Sequence, residues 1–413
     1  MSQEQLSPVS DPSSAAAVLE REPGAIGRWA IGRIRRNLGE VPVRVRLADG
    51  LELALAKGTP IATVIVRDRR TLLRVLRNPG LNFGEAYMSG DVDVEGDLLA
   101  LLLAVHGTRR TEDSNGRRLF ARRNTLSAAR DNVHHHYDLG NDFYRLWLDE
   151  QLVYTCAYFP TPDASLDAAQ VAKMDLVARK LRLQPGERVV EAGCGWGALA
   201  LHMAREYGAS VRAFNISREQ IRHARQRAAE EGLQGRVEFV EDDYRNITGT
   251  YDVFVSVGML EHVGLPDYRT FGDVIHRSLP RGRGRGLLHF IGRNRPAAMN
   301  AWIAKRIFPG AYPPTLAEVG EGVLEAHDLS VLDVENLRLH YAKTLEHWRM
   351  RFERAADTVR QMFDDTFVRG WRLYLSGSQA AFLAGSLQLF QVVFARGESN
   401  DIPWTRGGLY RET

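Results

Sequence analysis

In the second half of the chain, short runs of apolar and β-branched residues alternate with longer stretches in which apolar residues recur every three or four positions. The short runs are typical of buried strands, and the longer stretches are typical of amphipathic helices. Strands are predicted at 189–190, 210–214, 236–240, 251–257 and 286–291, with helices at 198–207, 217–231 and 267–279. This alternation predicts an α/β fold with a doubly wound, mainly parallel sheet, which binds ligands at the carboxyl ends of its strands.

The segments around this alternation have other patterns. Before it, a short helix is predicted at 143–148, and Ser165 is a predicted N-cap for a helix that ends at Leu181. Residues 297–361 combine helical patterns with proline-containing turns, and they are numerous enough to roof a pocket. Two apolar helices, 367–375 and 379–387, precede a last strand at 389–394.

The sequence before residue 131 predicts a disordered arm, a small domain and a linker. Residues 1–23 contain little that could be buried and are predicted to form a disordered arm. Residues 24–106 predict a small α+β domain. Its predicted elements are helix 26–38, a hairpin 43–55 that turns at Asp49 and Gly50, strand 61–66, and helices 69–77, 82–88 and 97–105, the last of them buried. The polar and basic residues 107–130 are predicted to link it to the larger domain, residues 131–413.

The helix predicted at 26–38 has arginines between its apolar positions, and two interpretations of it are open. The helix could lie in the interface of an anionic membrane with its apolar face in the lipid. Alternatively, it docks on the small domain and its basic face is solvated.

Composition and charge restrict the possible partners. The chain has 413 residues, 44% of them apolar, but no apolar run approaches the roughly 20 residues needed to cross a bilayer. Membrane contact would therefore be peripheral. The net charge of +3 gives no reason to expect nucleic-acid binding. Since the two cysteines, Cys156 and Cys194, are far apart, neither a disulfide nor a zinc site is expected, and a reducing cytoplasm fits best.

The candidate ligand site is the turn after the first strand of the larger domain, residues 191–197, which has the form E-x-G-x-G-x-G. Closely spaced glycines let backbone N–H groups and a helix N-terminus approach a nucleotide-like ligand. A dinucleotide fingerprint needs G-x-G-x-x-G and an acidic residue about 20 positions later, where this chain has Asn215. The turn therefore looks like motif I of S-adenosylmethionine methyltransferases, with dinucleotide binding and a turn without a ligand as alternatives.

Five ordered segments resemble one family. They are YTCAYF at 154–159, EAGCGWG at 191–197, SVGMLEHVG at 256–264, LHFIG at 288–292 and HYAKTL at 340–345. They resemble the cyclopropane-fatty-acyl-phospholipid synthases and the related mycolic acid cyclopropane and methyl transferases, from about residue 130 to the end. Residues 40–106 also look like the small N-terminal domain of the phospholipid-acting members. The resemblance implies a Rossmann-like class I methyltransferase sheet with a helical roof, and a small domain that associates with lipid or with a dimer partner.

The resemblance implies transfer of the methyl group of S-adenosylmethionine to the double bond of an unsaturated phospholipid acyl chain. An isolated alkene is a weak nucleophile, so it must be held in line with the sulfonium methyl in a dry slot. The transfer leaves a carbocation, and in the family a bound bicarbonate removes a proton from it. By resemblance, the bicarbonate is held by Cys156, Glu261, His289 and Tyr341, with the backbone near Ile291.

Each of these side chains also has a purely structural interpretation. Alone, Cys156 could be a small buried apolar residue and Glu261 a helix cap. His289 could be a hydrogen-bonded histidine at a strand end, and Tyr341 a packing aromatic. As one ordered set, however, thiol, imidazole and phenol can donate hydrogen bonds to a small anion, and Glu261 can accept one from its hydroxyl. The set therefore favours a site.

The resemblance also assigns residues around S-adenosylmethionine. They are Tyr137, Tyr154, Thr155, Val190, Glu191, Ala192, Gly193, Cys194, Gly195, Trp196, Gly197, Ala198, Asn215, Ile216, Ser217, Gln220, Asp243 and Tyr244. Asp243 would accept hydrogens from the adenine amino group and Tyr244 would stack on the ring, with a register that could shift by one position. No metal is expected at residues 134–136, because adjacent imidazoles diverge and no carboxylate or cysteine pattern accompanies them.

Two departures from the family pattern concern the fate of the carbocation. Ser378 stands where cyclopropane synthases usually have a cysteine, and Leu260 stands where a phenylalanine is common and could face the cation. Loss of a proton from the new methyl group closes a cyclopropane, whereas loss from a neighbouring carbon leaves a methylene branch. The ring product is expected because all four bicarbonate side chains are kept. The alternatives are a methylene-branched product, a small-molecule or mycolic-type methyltransferase, against which the phospholipid-type N-terminal domain argues, and a catalytically silent lipid- or cofactor-binding homologue.

These expectations together describe a cytoplasmic enzyme at the inner face of the cell membrane. Its expected partners are an unsaturated phospholipid acyl chain and the membrane surface, with a possible homodimer and no nucleic acid.

Overall fold

The computed structural model describes residues 25–108 and 139–409. The predictions for the arm at 1–23, for most of the linker at 107–130, for the histidines at 134–136 and for Tyr137 therefore lie outside the described residues.

The smaller unit is a four-stranded mixed sheet covered by helices. Its strands are β1 Val43–Leu47, β2 Glu52–Ala54, β3 Ala62–Val66 and β4 Val92–Gly96, and its helices are α1 Ala25–Leu38, α2 Arg69–Arg77, α3 Pro79–Met88 and α4 Leu98–Thr108. The strand order is β2-β1-β3-β4, with β1 and β3 parallel. The α+β architecture agrees with the sequence pattern, but β4 was not predicted. Helix α4 also runs beyond the predicted linker start at residue 107, and Leu103 on it is exposed although the helix was predicted to be buried.

Helix α1 combines features of both interpretations of its sequence. Its apolar residues Ala30 and Ile34 are buried in the core of the smaller unit, together with Val43 and Leu53. On the opposite side Trp29 is 49% exposed among exposed arginines. The helix is therefore docked and still presents an aromatic side chain on a basic surface.

The larger unit contains a seven-stranded sheet. Its strands are β5 Arg188–Ala192, β6 Ser210–Asn215, β7 Val237–Glu241, β8 Val253–Val257, β9 Arg285–Gly292, β10 Leu329–Asn336 and β11 Gln388–Arg396. The order is β10-β11-β9-β8-β5-β6-β7, in which β5 to β9 are parallel and β10 and β11 are antiparallel to their neighbours. The chain order reverses between β5 and β8, which is where a doubly wound sheet places its ligand.

Helices cover both faces of this sheet. They are α5 Asn141–Arg145, α6 Leu166–Lys180, α7 Ala198–Tyr207, α8 Arg218–Glu230, α9 Leu260–Val263, α10 Tyr268–Ser278, α11 Ala301–Arg306, α12 Leu316–Val319, α13 Arg338–Arg354, α14 Ala356–Met362 and α15 Asp365–Leu383. Helix α6 begins as predicted, because the Ser165 side chain accepts a hydrogen bond from the backbone N–H of Ala168.

Two predictions in the C-terminal third were wrong. The region 297–361 contains strand β10 in addition to its helices, and this strand pairs with β11 at the edge of the sheet. The two helices predicted at 367–375 and 379–387 form the single helix α15. A glycine in a helix costs only about 1 kcal/mol, and α15 packs along α13 and α4, so tertiary contacts carry the helix through its Ser-Gly-Ser segment.

The smaller unit packs against α15 and α11 of the larger one through α3 and α4. Arg369 on α15 donates hydrogen bonds to the backbone oxygens of Tyr87 and Val92 at 2.6 and 2.9 Å. Glu85 on α3 pairs with Lys305 and Arg306 on α11. These contacts place the smaller unit against the helices beside the site described below.

Candidate active site

The site begins at the turn between β5 and α7. All three glycines of this turn have positive φ, and at two of them a side chain would also meet protein atoms. A Cβ atom on Gly193 would lie 2.8 Å from Met259, and one on Gly197 would lie 2.6 Å from the Phe239 ring. At Gly195, by contrast, no heavy atom of the described residues would lie within 4 Å of the new Cβ. Gly195 therefore opens onto free space, which is where a ligand can approach the backbone.

This free space is a pocket with about 1240 Å³ of empty volume, part of it open to solvent. Thirteen of the predicted cofactor residues line it: Tyr154, Thr155, Glu191, Gly193, Cys194, Gly195, Trp196, Ala198, Asn215, Ile216, Gln220, Asp243 and Tyr244. Four others do not. Val190 and Ala192 are fully buried core residues, Gly197 packs on Phe239, and the Ser217 hydroxyl caps α8 by accepting a hydrogen bond from the Gln220 backbone.

The residues after β6 and β7 form one end of the pocket. The Asn215 side chain donates a hydrogen bond to Gln220 Oε1 at 2.7 Å, which fixes its orientation. Both carboxylate oxygens of Asp243 accept hydrogen bonds from the Arg245 guanidinium. The adjacent Asp242 is only half buried and also lines the pocket. Asp242 is therefore a second candidate ligand group beside Asp243, as the one-position alternative in register noted above allows.

A buried ionic cluster that was not predicted lies at the other end. The Lys173 ammonium, on α6, is buried and donates a hydrogen bond to Thr155 Oγ1 at 3.0 Å. Burial lowers the pKa of Lys173 and raises the pKa of Glu191, whose Oε2 has no hydrogen-bond partner among the described residues. Because a lysine on a helix is usually exposed to solvent, the sequence alone does not indicate that Lys173 faces the pocket.

One wall of the pocket is aromatic. The Tyr154 hydroxyl forms a 2.7 Å hydrogen bond with that of Tyr374, and the Trp196 indole donates to Asn141 Oδ1 at 2.7 Å. Behind them, a large cluster of buried apolar residues continues through Trp348 and Trp371 on α13 and α15. The pocket wall is therefore backed by an apolar core.

Two of the predicted site residues are buried polar groups at β9, and the first is Glu261, at the start of α9. It is 5% exposed, and its Oε1 accepts a hydrogen bond from the Ile291 backbone N–H at 2.5 Å. Burial raises the pKa of Glu261 to about 7, although the hydrogen bond from Ile291 acts in the opposite direction. Its Oε2 is buried and has no partner in the described part of the chain.

His289 is the second of these groups. It lies two residues before Ile291 on β9, so both side chains point to the same face, roughly 7 Å apart along the strand. Its Nδ1 lies 3.0 Å from Nε2 of Gln391. Its Nε2 is buried without a partner among the residues described. Burial, together with Lys173 and Lys180, holds the pKa of His289 well below its usual value, so the ring is neutral.

Cys156 and Tyr341 join this cluster through backbone contacts. The Cys156 thiol donates to Ala157 O at 3.1 Å and lies 3.9 Å from the Leu337 oxygen, which also accepts from the Tyr341 backbone N–H. The Leu337 N–H in turn donates to the oxygen of Leu389, which is paired with Ile291 across the sheet. Burial raises the pKa of the Cys156 thiol, so it remains protonated and acts as a donor.

Of the five residues predicted to hold the anion, Glu261 contacts Ile291, two residues from His289 on β9. Cys156 and Tyr341 share contacts with the Leu337 oxygen. None of the five lines the pocket itself in the described structure, but their chain neighbours Thr155, Met259 and His262 do. Within residues 25–108 and 139–409, no group of three or more His, Cys, Asp or Glu side chains could hold a metal ion. Over the same residues, no helix has the length and apolar character required to span a bilayer.

Comparison with known proteins identifies the family. The model of the mycolic acid cyclopropane synthetases matches residues 124–392, and a model described as a domain of unknown function, DUF7884, matches residues 33–112. The cyclopropane-fatty-acyl-phospholipid synthase of Escherichia coli K12 is 36% identical over 84% of this chain and 91% of its own length. The tuberculostearic acid methyltransferase UfaA1 of Mycobacterium tuberculosis is 34% identical over 94% of this chain and 96% of its own.

A solved structure gives the same result for the fold. The mycolic acid cyclopropane synthase CmaA1, crystallised with SAH and CTAB, superposes with a TM-score of 0.61 and 32% identity over 65% of this chain and 98% of that chain. The resemblance and the Rossmann-like methyltransferase fold expected from the sequence are confirmed. The chain belongs to the mycolic acid cyclopropane synthetase family of S-adenosylmethionine-dependent methyltransferases.

Proposed function

We propose that this enzyme transfers the methyl carbon of S-adenosylmethionine to the double bond of an unsaturated phospholipid acyl chain, with bicarbonate as the base and a cyclopropane as the product. The observation that carries the proposal is the pair of buried polar atoms, Glu261 Oε2 and His289 Nε2, that lack partners in the described structure. An unsatisfied buried polar atom costs about 1–3 kcal/mol. A small polar ligand between them would remove that cost.

The chemistry of these residues suits bicarbonate. The Ile291 N–H occupies Oε1 of Glu261 and leaves Oε2 to accept from a bicarbonate hydroxyl. The neutral imidazole of His289 and the protonated thiol of Cys156 can both donate hydrogen bonds to an anion. A bound bicarbonate supplies a base at the place where the transferred methyl group leaves positive charge.

The pocket and the aromatic wall support an acyl substrate. The pocket and the apolar cluster share Trp196 and Tyr154, so an acyl chain that enters beside these residues can bring its double bond next to the cofactor. Water is excluded there, which keeps a carbocation from being hydrated before it loses its proton. The Escherichia coli relative is a cyclopropane-fatty-acyl-phospholipid synthase, and its similarity spans 84% of this chain.

A methylene-branched product is the second candidate. It is favoured by the similarity to the tuberculostearic acid methyltransferase, which spans 94% of this chain. Leu260 does not discriminate between the two products, because its side chain is buried in the apolar cluster around Tyr268 and Phe271, on the opposite face of the sheet from His289. The ring remains the first candidate because the bicarbonate side chains are all present.

The test is transfer of labelled methyl groups from S-adenosylmethionine to vesicles of unsaturated phospholipid, with and without bicarbonate. We expect bicarbonate-dependent labelling, and a cyclopropyl signal in the NMR spectrum of the extracted lipid. An exocyclic alkene signal would instead identify the methylene-branched acyl chain as the product. Glu261→Gln should lose most activity while binding S-adenosylhomocysteine normally, and equal labelling by both proteins would refute the assigned base site.

A further inference from the structure

We propose that Gln391, oriented by Lys180, holds His289 as the tautomer with its proton on Nε2, so that the ring presents a hydrogen-bond donor to the anion. Gln391 and Lys180 are positioning residues in this proposal, which rests on the proposed function for the identity of the anion. The tautomer itself can be measured without turnover.

Gln391 and His289 are held side by side by the sheet. They are directly paired across the antiparallel strands β11 and β9, so their side chains leave the same face. Both are buried, at 0% and 2% exposure, and Nε2 of Gln391 lies 3.0 Å from Nδ1 of His289. The contact is therefore shielded from water that could replace it.

Lys180 determines which end of the Gln391 amide faces the histidine. Its ammonium group, at the end of α6, is buried, lies 2.6 Å from Gln391 Oε1 and forms an ion pair with Glu335 on β10. An ammonium group can only donate hydrogen bonds. The Gln391 atom beside it must therefore be the carbonyl oxygen, and the NH₂ group is the atom that faces His289.

The histidine tautomer follows from that orientation. An amide NH₂ can only donate, so Nδ1 of His289 must accept and cannot carry a proton. The ring is neutral because burial and two nearby lysines disfavour its charged form. Its single proton therefore lies on Nε2, the buried atom that has no protein partner in the described chain.

This orientation has a direct consequence for anion binding. With its proton on Nε2, His289 donates a hydrogen bond to an oxyanion beside Glu261. The other tautomer would direct a lone pair at the same oxygen and repel it. Fixing the tautomer before the ligand arrives removes the need to rearrange the site, as in other pre-organised donor sites.

The test uses the full chain labelled with ¹⁵N-histidine, and the His289 signals are assigned by their loss in His289→Asn. In the wild type we expect the ¹⁵N pattern of a neutral ring with its proton on Nε2. In Gln391→Glu, which keeps the size and the contact with Lys180, the carboxylate can only accept, so the proton should move to Nδ1. A wild-type ring protonated on Nδ1, or an unchanged ring in Gln391→Glu, would overturn the proposal.

Kinetics separate this role from a merely structural one. Gln391→Glu should lower methyl transfer on the order of a hundredfold, the loss typical of one oxyanion donor, and should raise the bicarbonate concentration needed for half-maximal rate. Its affinity for S-adenosylhomocysteine should stay unchanged. Lys180→Met should give a mixture of both tautomers, and an unchanged single tautomer there would remove Lys180 from the proposal. If wild-type turnover does not respond to bicarbonate, the proposed function fails, whereas the NMR result on the tautomer stands.

Discussion

Glu261 is a buried carboxyl group whose ionisation has a measurable cost at the scale of a single residue. Its pKa is raised from 4.5 to about 7, so the folded protein holds the proton more tightly than the unfolded chain. The stability that the protonated form contributes is fully present below pH 4.5 and is lost as the pH rises to about 7. Above that, ionised Glu261 destabilises the fold by roughly 3 kcal/mol.

We therefore expect Glu261→Gln to have a higher thermal midpoint than the wild type at about pH 8 and a much smaller advantage at about pH 5. The amide retains an oxygen to accept from Ile291 and cannot ionise. The control is Glu346→Gln on α13, where the side chain is exposed. Parallel pH curves for the wild type and Glu261→Gln would contradict the assigned burial cost.

Two matched glycine-to-alanine substitutions in the turn at residues 191–197 test ligand binding and core packing separately. Gly195→Ala places a methyl group in open space at φ +54°, so it should cost roughly 1 kcal/mol of stability, and that methyl group should weaken S-adenosylhomocysteine binding by about tenfold or more. Gly197→Ala instead directs a methyl group at the Phe239 ring, and we expect a larger loss of stability, about 1–3 kcal/mol beyond the backbone strain. Calorimetric titration and thermal midpoints check both. The assignment fails if Gly195→Ala binds normally.

The sequence indicated candidate site residues better than it indicated the residues that contact them. Glu261 and His289 could be assigned because they stand in ordered motifs. Lys173 and Gln391 could not, since a lysine on a helix and a glutamine on a strand carry no sequence signal until the fold buries them beside the site. The sequence also could not show that Asp242 lines the pocket beside Asp243, or that Arg245 pairs with Asp243, because both depend on the fold.

At the scale of the element, helix α3 provides a test of how closely the two units are packed. A Cβ atom on Gly84 would lie 2.4 Å from the indole of Trp302 on α11. One on Gly80, in the same helix, would have Asn300 Nδ2, at 3.7 Å, as its nearest atom among the described residues. Gly84→Ala should therefore lower the free energy of unfolding by about 1–3 kcal/mol through forced separation of α3 and α11. Gly80→Ala should leave it equal or slightly higher, since alanine is the better helix former. Denaturation curves of the two variants measure this difference. If Gly84→Ala and Gly80→Ala have equal free energies of unfolding, α3 and α11 do not pack tightly in solution.

The elements themselves were predictable where hydrophobic period and breaker residues agreed. Strands β5 to β9 and the helices between them follow their sequence patterns within a few residues. Strand β10 was missed because it is an edge strand with Val331 and Val334 exposed, so it lacks a continuous apolar run. Helix α15 was divided in two because Gly377 is flanked by serines, a pattern that marks turns when no tertiary contact opposes it.

At the scale of the whole molecule, the smaller unit and the pocket are connected through shared helices. Helix α15 packs against α3 and α4 on one side and carries Tyr374 of the pocket wall on the other. The roof helix α11 holds Trp302, whose indole donates to the Met88 sulfur of α3 at 3.3 Å. Two helices of the larger unit therefore connect the smaller unit to the pocket wall.

The exposed face of α1 is the surface of the smaller unit that we expect to contact lipid. Trp29 is 49% exposed beside exposed Arg28, Arg33 and Arg36, a combination that favours an anionic membrane interface. Trp29→Ala should weaken binding to vesicles of phosphatidylcholine and phosphatidylglycerol by roughly tenfold, the effect of about 1.5 kcal/mol of lost apolar burial. Added salt should weaken wild-type binding as well, because it screens the arginines.

Trp404→Ala, which removes a fully exposed tryptophan elsewhere, is the matched control in co-sedimentation and in assays with detergent-dispersed substrate. If both tryptophan variants bind vesicles like the wild type, α1 is only a docked helix with a solvated basic face, and the lipid-binding surface lies elsewhere.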